Sequence, residues 1–284
     1  MKLKKIAALL LAVLMVVAMA SCGKSASKEV KVIDIKLTDE DYAFGVKKDD
    51  PELLEKVNAY VKQIKEDGTL GKICDKYFGD GKPEGIDAGK VDSSKDQLVV
   101  ATNAAFEPFE YKQGDKFYGI DMEVAAGLAK YLNKELVIVD MSFDAVCLSV
   151  SQGKADIAMA GLTIKPEREE FVTFSDSYYA ASQKVVTLTS DTTFDSCKTA
   201  DDVVAVIKGM ENGTKAGCQN GTTGQLYLEG DEEMEFEGFA NITTSGYDSG
   251  SLAIQNVING NLKFVVIDEA PANAIVKALN AVNK

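Results

Sequence analysis

From Gln97 onward, short apolar runs alternate with stretches of helical periodicity, and that alternation confines the chain to parallel sheets covered by helices. Strands are expected over 98–102, 135–140, 157–160 and 184–188, with helices over 121–132 and 144–152 between them. In 121–132, Val124, Ala125, Leu128, Ala129 and Leu132 fall on one helical face. Pro166 opens a further short helix at the first helical position, where its missing N–H costs nothing. A polar interruption over 190–198 precedes a second alternating block. There, helices over 199–208 (Thr199 as N-cap), 251–259 and 271–279 alternate with strands over 215–219 and 264–268. Gly221-Thr222-Thr223-Gly224 opens one more helix. Two blocks of this size predict two small α/β lobes.

The chain before Gln97 has a different character. Asp50-Pro51 caps an amphipathic helix with Leu54, Val57, Val61 and Ile64 on one face, closed by Gly68. A second helix is expected over 69–77, and the polar stretch 81–96 reads as a linker. At the very front, Lys2, Lys4 and Lys5 precede an unbroken apolar run from Ile6 to Ala20. This run is short for a membrane span and suits an export leader, 1–21. Met19-Ala20-Ser21-Cys22 is similar to a bacterial lipobox, so Cys22 is the expected lipid-modified residue and 22–29 a tether.

Removing the leader takes away three lysines and no acid, carrying the formal charge from −13 to −16. A surface so acidic excludes nucleic acid as a partner, because phosphate binding needs a basic footprint. Histidine is absent, which removes His-based catalytic triads and His-ligated zinc. The remaining cysteines, Cys74, Cys147, Cys197 and Cys218, fit no zinc spacing and are expected as free thiols. The acidic run 231–235 lacks the spacing of a calcium loop and reads as a solvated face. No metal and no cofactor are assigned.

Thirty of the 31 basic residues are lysine, and the one arginine is Arg168, in Gly161-Leu162-Thr163-Ile164-Lys165-Pro166-Glu167-Arg168. A guanidinium offers a rigid fork of donors that grips a carboxylate bidentately, which a mobile ammonium does not. Two readings stand side by side: a surface arginine paired with Glu169 or Glu170, and an arginine kept for a ligand carboxylate.

Ala101-Thr102-Asn103-Ala104-Ala105-Phe106-Glu107-Pro108-Phe109-Glu110-Tyr111 and Tyr118-Gly119-Ile120-Asp121 resemble the opening of the type II solute-binding proteins of polar amino-acid ABC importers. Asp156-Ile157-Ala158, Gly161-Leu162-Thr163-Ile164, Glu167-Arg168 and Phe174-Ser175 continue the resemblance in register. Gln219-Asn220-Gly221-Thr222-Thr223 and Val266-Ile267-Asp268-Glu269 extend it to the second block. It implies a two-lobed periplasmic-binding-protein-like α/β fold with two crossover strands, here placed at 184–188 and 42–46. The order of segments departs from the family. Its closing strand, long helix and Lys-Tyr-Phe-Gly tail stand here at the front, as Tyr42-Ala43-Phe44-Gly45-Val46, the helix from Pro51 and Lys76-Tyr77-Phe78-Gly79. The chain stops at Lys284, where family members continue into a segment like Val30 to Ile35. A circular permutation accounts for both. The expected parts are then a lobe 2 strand in 30–40, a segment closing lobe 1 in 41–80, lobe 1 proper in 97–188 and the rest of lobe 2 in 189–284.

The resemblance also implies a ligand set for a free amino acid. Arg168 takes the carboxylate, aided by backbone groups around Leu162, Thr163, Thr222 and Thr223. Asp268 takes the ammonium, with the Gly161 carbonyl and the Thr163 hydroxyl. Asp268 at a strand's C-terminal end fits ligand binding, and a helix N-cap is the alternative. Phe106 and Phe143 sandwich the side chain, or else simply pack in the core. Asn103 and Gln219 read its tip, and a neutral amide pair favours a glutamine-like ligand. The implied protein is a monomeric, exported lipoprotein on the outer face of the cytoplasmic membrane, or in the periplasm, that serves ABC permease subunits. A sensor module and a dehydratase-like enzyme using Glu107 or Asp268 as acid/base remain as other readings.

Overall fold

The computed structural model describes residues 28–79, 81–232 and 235–282; the expected leader, Cys22 and nearly all of the tether lie outside them. Two five-stranded sheets organise the chain. The first runs in the order Val172–Phe174, Gly45–Lys47, Ile157–Ala158, Gln97–Thr102, Glu135–Asp140. Gln97–Thr102 is parallel to both neighbours, while Gly45–Lys47 runs antiparallel to its own two. The second sheet runs Val30–Ile33, Gln183–Leu188, Phe264–Asp268, Thr214–Gln219, Ile242–Tyr247. Phe264–Asp268, antiparallel to Gln183–Leu188 and parallel to Thr214–Gln219, is buried along its whole length, as an apolar run in the middle of a helix-covered mixed sheet must be. Ile242–Tyr247 has no counterpart in the sequence expectations. It is a half-exposed edge strand paired on one side only, so its sequence carries no apolar run to announce it.

The segment before Gln97 is built into both lobes. Val30–Ile33 lies antiparallel to Gln183–Leu188 at the edge of the second sheet. Helix Pro51–Glu66 starts where the Asp50 side chain accepts from the Leu53 N–H at 2.9 Å, and Pro51 fills the first helical position. Its buried residues are Leu53, Val57, Tyr60, Val61 and Ile64. They share one core cluster with Leu98, Val100, Val124, Leu128 and Ile157 of the first lobe. Each fully buried aliphatic side chain there contributes about 1.5–3 kcal/mol. Helix Ile120–Tyr131 accepts this packing through Gly127, where a Cβ would sit 1.9 Å from Tyr60 Oη. Helix Thr69–Phe78 adds Leu70 and Ile73 to the same cluster.

The chain ends of the described region meet. Asn280, near the end of helix Glu269–Val282, accepts from Val30 N–H at 3.0 Å and donates to Val30 C=O at 2.8 Å.

Three expectations are corrected. Residues 184–188 are not a crossover: Gln183–Leu188 is almost wholly buried inside the second sheet, paired on both sides, so the lobe boundary falls before residue 183 rather than after 188. The passage between lobes is made by Tyr179–Ala181 and Glu40–Tyr42, which pair antiparallel as a separate two-stranded sheet. Residues 45 and 46, the end of the other expected crossover at 42–46, lie within the first sheet. Lastly, 81–96 is not a free linker. Ile86–Asp87 pairs with Lys116–Tyr118, and Ala88 C=O accepts from Ile138 N–H at 2.7 Å. Backbone pairing at a sheet edge needs no apolar pattern, which is why polar composition hid it. Helix ends elsewhere follow the local signals: Thr199 caps Ala200–Lys208 reciprocally with Asp202.

Candidate functional site

Several of the residues expected to touch a ligand sit at C-terminal ends of strands. Asn103 follows Gln97–Thr102, Gly161 to Thr163 follow Ile157–Ala158, and Gln219 and Asp268 end their strands. The two lobes are closed on one another along this line, with direct contacts from Arg168, Thr163, Asn103, Lys165 and Tyr42 of one side to Gly221, Thr223, Gln219, Asp231 and Asp268 of the other.

At one end stands Arg168. Its Nη1 donates to Thr163 C=O at 2.7 Å and its Nη2 to Gly221 C=O at 3.3 Å. Its guanidinium carbon lies 5.1 Å from the centroid of the Phe143 ring. No carboxylate pairs with it among the described residues, and Glu169 and Glu170 are both exposed, so the surface-pair reading is not what the fold adopts. Thr163 Oγ1 donates to Glu40 Oε2 at 2.7 Å and accepts from Thr223 Oγ1 at 3.2 Å. Glu40 Oε1 accepts from Thr38 Oγ1 at 2.6 Å and from Gln183 Nε2 at 3.0 Å. Thr222 Oγ1 turns back onto Gln219 C=O at 2.8 Å.

Asp268 is 5% exposed and accepts from the Tyr42 hydroxyl. Burial pushes its carboxyl up to about 7, the neighbouring Glu40 adds to the rise, and the Tyr42 hydrogen bond opposes it. Glu40 and Tyr42 belong to the crossing strand, and neither was expected as a site residue. Tyr42 stood in the family-like motif and Glu40 beside it, but nothing in their spacing tied them to Asp268, 226 residues further along in the case of Tyr42.

Gly161 has φ +55°, and a Cβ there would lie 2.8 Å from Phe106 Cε1, so this turn admits only glycine. Asp121 holds the turn: its Oδ2 accepts from Gly161 N–H at 3.0 Å and its Oδ1 from the Tyr178 hydroxyl at 2.5 Å. It is fully buried, and burial pushes it up to about 7 despite those two bonds. Asp121 lay in a recognised motif without an assigned role.

The Leu162 side chain packs with Val146, Val150 and Val172 in the first lobe's interior, and its carbonyl accepts from Ala43 N–H at 2.9 Å. Phe106 rests against Gly161 and stacks on Phe109 at 6.0 Å, while Phe143 lies under Arg168. The acidic run is also not simply solvated. Asp231 is buried and pairs across the cleft with Lys165, their side chains 1% and 8% exposed. A pair assembled from two lobes leaves no local mark in sequence.

At the far end of the line, Asn103 Nδ2 donates to Met141 C=O at 2.7 Å, and Gln219 Nε2 donates to Asn103 Oδ1 at 2.9 Å. Beside them a cavity of about 500 Å³ opens between the lobes. Glu107 faces elsewhere: it lines a separate cavity of about 640 Å³ with Tyr77, Tyr111, Tyr179 and Lys277, in which Arg168, Thr163 and Asp268 take no part. Cys74, Cys147, Cys197 and Cys218 are free thiols. Among the described residues no group of acids and cysteines is gathered closely enough for a metal ion, and no helix is long and apolar enough to cross a membrane.

The sequence profile of the bacterial extracellular solute-binding proteins, family 3, matches residues 6–80 and 98–282. The chain is similar to the arginine-binding extracellular protein ArtP of Bacillus subtilis, 39% identical over 95 residues, which is 34% of this chain and 37% of that protein. The match thus spans little more than a third of that relative. Among solved structures it is similar to an ancestral arginine-binding protein, solved bound to arginine (TM-score 0.56, 30% identity, 66% of this chain and 77% of that one) and bound to glutamine (TM-score 0.54, 30% identity, 66% and 76%). It is also similar to the ancestral amino acid-binding protein AncCDT-1, a precursor of cyclohexadienyl dehydratase (TM-score 0.54, 28% identity, 65% and 74%).

Proposed function

The chain belongs to the bacterial extracellular solute-binding proteins, family 3, and on that premise we propose that it captures a free polar amino acid between its lobes and delivers it to an ABC permease. The observation that carries this reading is the opposition of Arg168 and Asp268. A guanidinium without a carboxylate partner among the described residues stands at one side of a closed interlobe line, and a buried carboxylate stands on the other, linked through Thr163, Glu40 and Gln183. An amino acid supplies the two missing charges, a carboxylate for the first and an ammonium for the second. In the bound state the ligand carboxylate exchanges for the Thr163 and Gly221 carbonyls on Arg168, and the ammonium takes its place on Asp268. Asn103 and Gln219 then meet the side chain. Because both lobes contribute, ligand favours the closed form and shifts the population towards it.

A thermal-shift screen of the protein against the twenty amino acids tests this, since a ligand that binds only the folded state raises its melting temperature. One or a few polar amino acids should shift it by several degrees. A screen in which none does, or turnover of a bound acid by the purified protein, overturns the binding-protein reading.

We further infer that the order of segments is a circular permutation of the family's. Its support is that 51–78 completes the first lobe's core, that Asn280 brackets Val30 as the next link of a chain would, and that the two family-matched stretches part at 81–97. A rearranged gene that starts at Gln97, joins Asn280 to Val30 through a short connection and ends at Gly79 should yield a protein of unchanged affinity. An insoluble or non-binding product would sink the idea. The leader and Cys22 anchor lie on residues outside those described; palmitate labelling lost in Cys22→Ser is the expected result.

A further inference from the structure

We propose that the tip of the ligand side chain is read by a cation-selecting subsite made of Gln219 Oε1, Asp144 and Asp248, so that the protein prefers arginine, and next lysine, over glutamine. This rests on the amino-acid reading above and changes what the amide pair signifies. In the sequence a neutral Asn103 and Gln219 suggest a neutral ligand. The fold gives the pair a polarity.

The Met141 carbonyl can only accept, so the group that Asn103 turns to it, at 2.7 Å, is the Nδ2 donor. Asn103 Oδ1 is therefore the atom facing Gln219, and Gln219 must answer with Nε2, at 2.9 Å. Flipping either amide would set oxygen against oxygen. The orientation of both is thus dictated by one backbone carbonyl rather than chosen freely. What remains is Gln219 Oε1, an acceptor without a partner on a side chain only 3% exposed. A buried acceptor of this kind calls for a donor.

The charge beside it has one sign. The cavity of about 500 Å³ that Asn103 and Gln219 line is also lined by Asp140, Asp144 and Asp248, and by no lysine or arginine among the described residues. Asp140 is engaged, accepting from Ala104 N–H at 2.9 Å and paired with Lys112 at 3.3 Å. Asp144, in the first turn of helix Phe143–Ser151, and Asp248, after strand Ile242–Tyr247, come from opposite lobes and are both exposed. Neither has an ion-pair partner among the described residues. The three are not gathered tightly enough to hold a metal ion. A planar guanidinium, all donors and positively charged, satisfies Gln219 Oε1 and lies in the field of two carboxylates at once. A carboxamide offers the donor but sets its own oxygen near those carboxylates.

Calorimetric titration of wild type, Asp144→Asn, Asp248→Asn and the double variant with arginine, lysine and glutamine decides this. Wild type should bind arginine at least about tenfold more tightly than glutamine. Each exposed carboxylate removed should weaken arginine about fivefold and the double variant about twentyfold, with glutamine unchanged and the arginine effect shrinking in high salt. Wild type that prefers glutamine, or a double variant that loses both ligands equally, overturns the subsite while leaving the amino-acid reading intact. Failure of all three to bind, with another amino acid active in the thermal screen, also overturns the subsite. Failure with no amino acid active overturns the reading beneath it. Both positions are on the surface, and unchanged melting curves of the ligand-free variants exclude loss of fold as the cause.

Discussion

The two ends of the interlobe line differ in how complete they are. Around Arg168, Thr163, Glu40 and Asp268, the polar groups are buried or half-buried and tied to one another, with Gly161 and Asp121 fixing the backbone beneath. Around Asn103 and Gln219, among the described residues, one acceptor lacks a partner and two exposed carboxylates lack a cation. The closed end holds groups suited to what every amino acid shares, and the open end holds groups suited to what distinguishes them. On the proposed reading, rigid preorganisation serves affinity at the first, and unspent charge serves selection at the second.

The comparison is most exposed to a change at the closed end. Arg168→Lys keeps the charge and loses the fork, and breaking a buried pair costs about 3–5 kcal/mol. Arg168 is half-buried, which places it at the lower end of that range, so affinity for every amino acid should fall by about two decades with the melting temperature of the free protein unchanged. Near-wild-type calorimetric affinity would return Arg168 to a structural residue and erase the distinction between the ends.

A second break uses pH. Asp268 ordinarily titrates near 3.8 and is held up to about 7 in the closed cleft, first by burial and then by Glu40. Its raised value means that the neutral form is favoured in the fold: that contribution to stability is complete below 3.8 and is lost as pH rises through 7. A ligand ammonium needs the ionised form. Binding should therefore release a proton below about pH 7, and affinity should fall by up to about tenfold per pH unit on acidification, equally for all ligands. Calorimetry in buffers of different ionisation enthalpy measures the proton count. An affinity flat from pH 8 to 5 would mean that Asp268 does not hold the ammonium.

The smallest expected change sharpens the open end. Asn103→Asp adds a carboxylate there but turns one oxygen towards the Met141 carbonyl, so part of the gain is lost locally. Preference should move towards arginine and lysine by about threefold, an amount set by one partly screened charge. Competition assays with an unchanged ranking would show that Asn103 does not read the side chain.

Much of this was legible before the fold. The helix from Pro51, the Thr199 cap and the buried strand Phe264–Asp268 each announce themselves through local chemistry, namely a fixed φ, a side-chain acceptor, or an unbroken apolar run. The placement of Asn103, Gln219 and Asp268 at strand ends follows from the same reading. Edge elements did not: Ile242–Tyr247 and Ile86–Asp87 are held by backbone pairing, which leaves side chains free to be polar. The crossing strands were misplaced because Gln183–Leu188, the better strand by composition, is better for the same reason that it belongs inside a sheet.

Sequence alone thus determined the two α/β blocks, the amphipathic helix before them and the single guanidinium, because each is written in neighbouring residues or in residue type. Only tertiary structure decided that Lys165 meets Asp231, that Tyr42 meets Asp268, and that Met141 orients Asn103 and through it Gln219. Those pairs are separated by 66, 226, 38 and 116 residues, and a contact over such distances obeys no period of helix or strand. It exists only once segments far apart in the chain are brought together.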